Sequence, residues 1–400
     1  MALSPAVQRD SSGAPSSGTL KDRLVRKGVA VVGAAGVALA IVVTAPPAVA
    51  KAPPHDPKTV ASGLNSPRHL SFAPNGDLYI AESGEPGAAG SDCNDHPEFG
   101  LTCLTHTSSI SRLSKHGKLS RVVQGLPSLA SEQDAVGAFD VLLHGNTLTV
   151  AMGLAGPPEL RDLYSGVDAD LLGTVIEIKQ AGKKKQRVTT LADLAAYEGT
   201  QNPAAGPVDS NPVDLAWSGR SLIVTDAGAN TVYKVSKKGS IDELAVFADP
   251  VLVDPPPFPP DFPGDWPDPF PAEPVPTAAA KGPDGAWYVS QLTGFPFQPG
   301  AATIWRVSRN GNVTPYATGL TNVTDLAWHG RTLYAVQIAD EGLLGAPSGS
   351  LLRVSTSGVH KTVADNLFAP YGLAIKGGHA YVTTGSVAAG IGEVVKIRLR

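Results

Sequence analysis

Leu215-Ala216-Trp217-Ser218-Gly219-Arg220-Ser221-Leu222-Ile223-Val224 and Leu326-Ala327-Trp328-His329-Gly330-Arg331-Thr332-Leu333-Tyr334-Ala335 repeat one pattern 111 residues apart, counting from Leu215 to Leu326. Each is a short apolar run, a tight polar turn with a central glycine, and a second short apolar run. That order of residues specifies a β-hairpin. The pattern recurs at Val141-Leu142-Leu143 to Leu148-Thr149-Val150, around His144-Gly145-Asn146. It recurs at Leu373-Ala374-Ile375 to Ala380-Tyr381-Val382, around Lys376-Gly377-Gly378, and at Leu70-Ser71-Phe72 to Leu78-Tyr79-Ile80. A weaker copy runs from Ala278 to Val289 with Gly282-Pro283-Asp284-Gly285 as its turn.

A second hairpin follows each first one. Its leading strand reads Ile110–Leu113, Val175–Ile178, Val232–Val235, Ile304–Val307, Leu351–Val354 and Val394–Ile397. In the first five units a glycine-containing turn leads to a fourth strand, as at Arg121-Val122-Val123 or Glu243-Leu244-Ala245-Val246. Four short antiparallel strands per repeat is the pattern of a propeller blade. The sixth unit ends at Arg400 after three strands, and Lys58-Thr59-Val60-Ala61-Ser62-Gly63-Leu64 supplies a strand of the missing kind. The expectation is therefore an all-β, six-bladed propeller over residues 58–400. Its N-terminal strand completes the last blade, closing the ring and removing the edges of an open array.

Numbering the strands of a blade a to d from the axis outward, the b-to-c and d-to-a connections share one face. The long segments all fall there: Glu82–Ser108, Met152–Gly173, Gln291–Ala302, Ile338–Gly349, Pro127–Ala138, Leu191–Asn211 and Asp249–Pro276. Long loops on a rigid scaffold are where binding residues concentrate. The other face carries Lys183, Lys184, Lys185, Lys237 and Lys238 on short turns, read as a solvated surface. Between Pro250 and Pro276, 12 of 27 residues are proline, interleaved with Phe258, Phe262, Trp266 and Phe270. This segment cannot be a central strand. It reads either as an extended lid that gates or binds a partner, or as a loop whose aromatics pack on the propeller.

At the start of strand a, the aligned residues are His69, Asp140, Asp214, Ala278, Asp325 and Gly372; at the end of strand b they include Glu82, Asp226, Gln291 and Gln337. Asn230 is a further polar candidate on the same face. Oxygens converging on a propeller mouth suit a hard cation such as Ca²⁺, with Glu82, Asp140, Asp214, Asp226 and Asp325 as ligands. Such an ion could polarise a carbonyl for hydrolysis. The competing reading is that these acids accept hydrogen bonds from loop N–H groups and order the turns. No Gly-x-Ser-x-Gly elbow or His-Glu-x-x-His motif is present.

Outside the repeats, residues 1–50 carry a basic cluster (Lys21, Arg23, Arg26, Lys27), an apolar run from Val29 to Ala45 and Ala48-Val49-Ala50. That order specifies a secretory leader, cleaved after Ala50 or retained as an anchor, followed by a linker at 51–57. Export favours a disulfide between Cys93 and Cys103, the two cysteines of the chain. A formal charge of -4 and the absence of nucleic-acid motifs give no support to a nucleic-acid partner.

Asp209-Ser210-Asn211-Pro212, Val224-Thr225-Asp226-Ala227-Gly228-Ala229-Asn230, Leu292-Thr293-Gly294-Phe295-Pro296-Phe297, Gly282-Pro283-Asp284-Gly285 and Gly392-Glu393-Val394-Val395 resemble the ScyD/ScyE family across residues 58–400. That family takes its name from a cyanobacterial gene cluster for the pigment scytonemin. The resemblance implies export and a propeller related to NHL-repeat and gluconolactonase-like folds, without an established catalytic set. Gln291 departs from the Glu that family members often carry there. The leading expectation is a non-catalytic, extracytoplasmic protein that binds a small molecule or protein with its loop-rich face. A Ca²⁺-dependent hydrolase of the lactonase type and a structural envelope protein are the alternatives.

Overall fold

In the computed structural model, the described residues are 57–87, 92–96, 99–183, 185–255 and 267–399. The leader expected at 1–50 lies outside them. Among the described residues no helix is long and apolar enough to cross a membrane.

Alternating apolar residues and tight glycine turns produce hairpins, and the hairpins pair into sheets. Among the described residues, six sheets contain a run of four antiparallel strands. The third is the simplest: Pro212–Ser218, Ser221–Asp226, Thr231–Ser236 and Ile241–Val246, in sequence order from the axis outward. Its first turn places Gly219 at φ 63°, and Gly145 and Gly330 occupy the same place at 59° and 62°. A side chain at these positions would be strained, so glycine sets the two-residue turn.

The sixth sheet draws on both ends of the chain. Lys58–Leu64 pairs antiparallel with Gly392–Arg398, placing Thr59 opposite Val395 and Ser62 opposite Glu393. The Thr59 hydroxyl also donates to Glu393 Oε2 at 3.1 Å. Each inner strand lies beside those of the preceding and following sheets, and Pro67–Phe72 of the first lies beside Leu373–Lys376 of the sixth. The core is distributed between neighbouring sheets. Tyr334, Val336 and Leu367 of the fifth, for example, pack with Leu373, Val382 and Val395 of the sixth.

Several segments expected as loops have structure of their own. In the first blade the third strand extends over Gly100–Leu113, and Cys93–His96 pairs back onto it as an arm. Cys93 stands directly opposite Cys103, and the two form the disulfide. The segment before the third blade contains a helix, Leu194–Gln201, whose N-cap Asp193 accepts from the Ala196 N–H at 2.9 Å. The proline-rich segment departs from an extended lid at its flanks, because Val251–Val253 and Phe270–Ala272 pair with each other. Phe270 is buried and meets Phe295 edge-on at 5.7 Å, so this aromatic packs on the propeller. Phe258, Phe262 and Trp266 lie outside the described residues.

Candidate functional site

The inner strands of the first five blades each carry a one-residue irregularity near their start, at Pro67/Leu70, Ala138/Asp140, Pro212/Asp214, Pro276/Ala279 and Val323/Asp325. A bulge re-aims the side chain it contains. Here it coincides with the position that sequence alignment marked as acidic. His69, Asp140, Asp214 and Asp325 are all buried.

Two of the three acids meet the histidine. His69 Nδ1 lies 3.1 Å from Asp325 Oδ2 and 3.9 Å from Asp214 Oδ1. Among the described residues, His69, Asp214 and Asp325 form the one set of three ligating side chains whose atoms lie within 4.8 Å of one another. These three are the residues able to hold a metal, and Glu82, Asp140 and Asp226 are not among them. The expected five-carboxylate set is therefore not a single site.

The hydrogen bonds show what the axial acids do. Asp140 Oδ2 accepts from the Leu215 N–H of the next blade at 2.9 Å, and Asp214 Oδ2 from Ala279 N–H at 2.8 Å. Asp325 Oδ2 accepts from Leu373 N–H at 2.6 Å, while its Oδ1 accepts from Leu326 N–H. Hydroxyls join the remaining boundaries. Thr277 donates to Val323 O, Thr383 to Arg68 O, and Ser71 to Val141 O. All six neighbouring blade pairs are thus linked near the axis by a side chain bonding to backbone.

Burial and mutual repulsion tune this ring. Burial works against charge on His69, but the carboxylates of Asp325, Asp214 and Asp140 outweigh it and push the imidazole up to about 9. Burial raises Asp214 to about 8 even though His69 opposes the shift, with Asp140 and Asp325 adding repulsion. The same burial raises Asp140 to about 6. The centre is an imidazolium among acids whose oxygens already accept backbone N–H groups.

Residues at the end of strand b have local duties. Glu82 Oε2 accepts from Asn65 N–H at 2.7 Å, and the carboxylate also takes the Ser111 hydroxyl and the Arg121 guanidinium. Asp226 accepts from Asn211 N–H at 2.6 Å, the Ser210 hydroxyl at 2.7 Å and Ala229 N–H at 3.1 Å. Gln337 accepts from Thr321 N–H at 2.8 Å. Asn65, Asn211 and Thr321 each stand just before an inner strand, so the same acceptor orders the same loop in three blades. Gln291 accepts from Thr303 N–H at 3.3 Å, and Asn230 Oδ1 from Val275 N–H at 2.9 Å.

Two features had no signal in the sequence. Arg68 is buried, pairs with Asp134 at 2.5 Å and sits 4.9 and 5.0 Å from the ring centres of Phe139 and Tyr371. A second acid group gathers near the helix: Glu198, Asp209 and Glu273 are each raised to about 7, chiefly by burial, with Asp226 adding repulsion on the first two. Helix and loop residues from two separate insertions meet there, which spacing along the chain does not reveal.

No known family profile matches the chain, and no curated protein does. Solved structures do. The PQQ-bound aldose sugar dehydrogenase of Streptomyces coelicolor is 13% identical, covering 87% of this chain and 99% of that one, with a TM-score of 0.51. Virginiamycin B lyase from Staphylococcus aureus, in its selenomethionine form, is 11% identical over 86% and 100%, with a TM-score of 0.44. At such identities the likeness to the dehydrogenase speaks for architecture alone. Together with the ring of four-stranded sheets, it identifies this chain as a β-propeller.

Proposed function

We propose that the chain is an exported, non-catalytic binding protein that engages its ligand or partner with the loop-bearing face. One observation carries this reading. Seven large apolar side chains are exposed among the described residues: Leu101, Leu163, Leu252, Leu344, Val359, Phe368 and Ile391. Six of them lie in, or at the edge of, b-to-c or d-to-a connections; Val359 alone lies on a c-to-d turn. Single exposed apolar residues are ordinary, but their concentration on the insertions of one face is what an interaction surface requires. The leader-like residues 1–50 support export, and the quoted motifs support membership of the ScyD/ScyE family.

The hydrolase reading is less well supported. His69, Asp214 and Asp325 lie close enough to share an ion, but Asp325 already accepts two backbone N–H groups and faces an imidazolium. Glu82 and Asp226 are engaged within their own blades.

The test is cosedimentation of the mature chain with a purified cell-envelope fraction. Replacing Leu101, Leu252, Leu344 and Ile391 together by Ser is expected to release the protein, whereas Val359→Ser leaves it bound. Unchanged cosedimentation of the fourfold variant, or equal release by Val359→Ser, overturns the proposal.

A further inference from the structure

An inner-strand aromatic meets a tyrosine across two blade boundaries, and a third boundary carries the inner-strand aromatic without its partner. At one register of the inner strand stand Phe72 in the first blade, Trp217 in the third and Trp328 in the fifth. Phe72 meets Tyr381 of the preceding blade edge-on at 4.9 Å, and Trp328 meets Tyr288 of the preceding blade edge-on at 4.9 Å. Each tyrosine pairs across its hairpin with the inner-strand residue just before that register: Tyr381 with Ala374, and Tyr288 with Ala280. In the second blade the residue in that register is Thr149, opposite Leu142. Trp217 therefore meets no tyrosine there.

The missing ring leaves a hole. A cavity of about 210 Å³ lies between the second and third blades, with Thr149 and Trp217 among its walls. Thr147, Glu177, Lys179 and Arg220 add polar groups. His144, 5.1 Å from Trp217, and Lys237 also line it. The cavity opens on the short-turn side, opposite the insertions. Lys179 is 3.9 Å from Glu177, but no carboxylate of the described residues forms an ion pair with Arg220 or Lys237. An indole, hydroxyls, a carboxylate and two cations without an ion-pair partner line one sugar-sized space. That volume is below the roughly 300 Å³ at which drug-sized sites begin.

We propose that this cavity binds one acidic sugar ring of the hexuronate class, packed on Trp217 with its carboxylate toward Arg220 and Lys237. An aromatic wall takes the apolar C–H face of a pyranose, Thr147 and Glu177 take its hydroxyls, and a guanidinium favours a carboxylate over a neutral group. The site is separate from the loop-bearing face, and its test does not depend on that face.

The experiment is titration calorimetry of the mature chain with D-glucuronate and, separately, D-glucose. Glucuronate binds and glucose binds at least about tenfold more weakly. Thr149→Tyr rebuilds the contact seen at Phe72/Tyr381 and Trp328/Tyr288, so it keeps or raises the melting temperature while abolishing binding. Arg220→Gln removes most of the preference for glucuronate. The proposal is overturned if glucuronate gives no heat at ~10 mM, a concentration that reveals even millimolar affinity. It is equally overturned if a folded Thr149→Tyr binds as the wild type does, or if acetate competes on equal terms and reveals a plain anion site.

Discussion

Asp325 illustrates how one side chain can serve three masters at a propeller axis. Its oxygens accept from its own following N–H, from Leu373 N–H of the next blade, and from the His69 imidazole across the channel. Asp325→Ala leaves a buried imidazolium short of its nearest partner and Leu373 N–H without an acceptor. Breaking a buried charge pair typically costs 3–5 kcal/mol, so a loss of about 3 kcal/mol is expected in urea titration. Adding EDTA to the wild type should leave its unfolding curve in place, because the carboxylates are satisfied by backbone N–H groups. A large EDTA effect would count against this account. The alignment of His69, Asp140, Asp214 and Asp325 could be read from the repeats. Their bonding to the next blade could not, because Leu215, Ala279 and Leu373 approach them only once the ring has formed.

Among the elements, the strand Lys58–Leu64 has the longest reach. It contributes Ala61 and Leu64 to the interior beside Val394, and covers the edge of Gly392–Arg398. A chain beginning at Asn65 loses that ladder and exposes an unpaired edge. Calorimetry should show a melting temperature lower by about 10 °C, on the order of several kcal/mol for a chain of this size. Light scattering should show self-association through the uncovered edge. A truncated chain as stable and monomeric as the full one would contradict the closure. This strand was legible because two observations agreed: a sixth repeat one strand short, and a strand of the missing kind before the first repeat. The helix Leu194–Gln201 and the arm Cys93–His96 were not. Eight residues are too few for a helix to be stable by propensity alone, and packing and the Asp193 cap select it.

For the whole molecule, the groups raised to about 7 or above act in one direction, and His96, lowered to about 4 by burial, opposes them only up to its ordinary value of 6.5. His69 is raised to about 9 from 6.5, so its stabilising protonation is complete below 6.5 and is lost as pH rises through 9. Asp214, raised to about 8, and Glu198, Asp209 and Glu273, each raised to about 7, also hold protons in the folded state that the unfolded chain releases near pH 4. Every one of these upward shifts makes unfolding easier as pH rises. The melting temperature should therefore fall from pH 6 to pH 9.5. His69→Asn, which removes the group with the highest titration point, should flatten the upper part of that fall. A melting temperature that climbs over this range would contradict the assignment of a protonated centre. Nothing in the composition announces this behaviour, since a charge of -4 is unremarkable and the effect comes from where the acids are buried.

The pairing of Lys58 with Lys396 also sets a timetable for biogenesis. Lys58–Leu64 must wait for Gly392–Arg398, with more than three hundred residues of intervening chain, so the slow step is a long-range loop closure. A ribosome-stalled or proteolytically clipped product would lack its clasp and display a bare ladder to chaperones and proteases. Synthesis as far as Gly392–Arg398 is in this way checked by the fold itself.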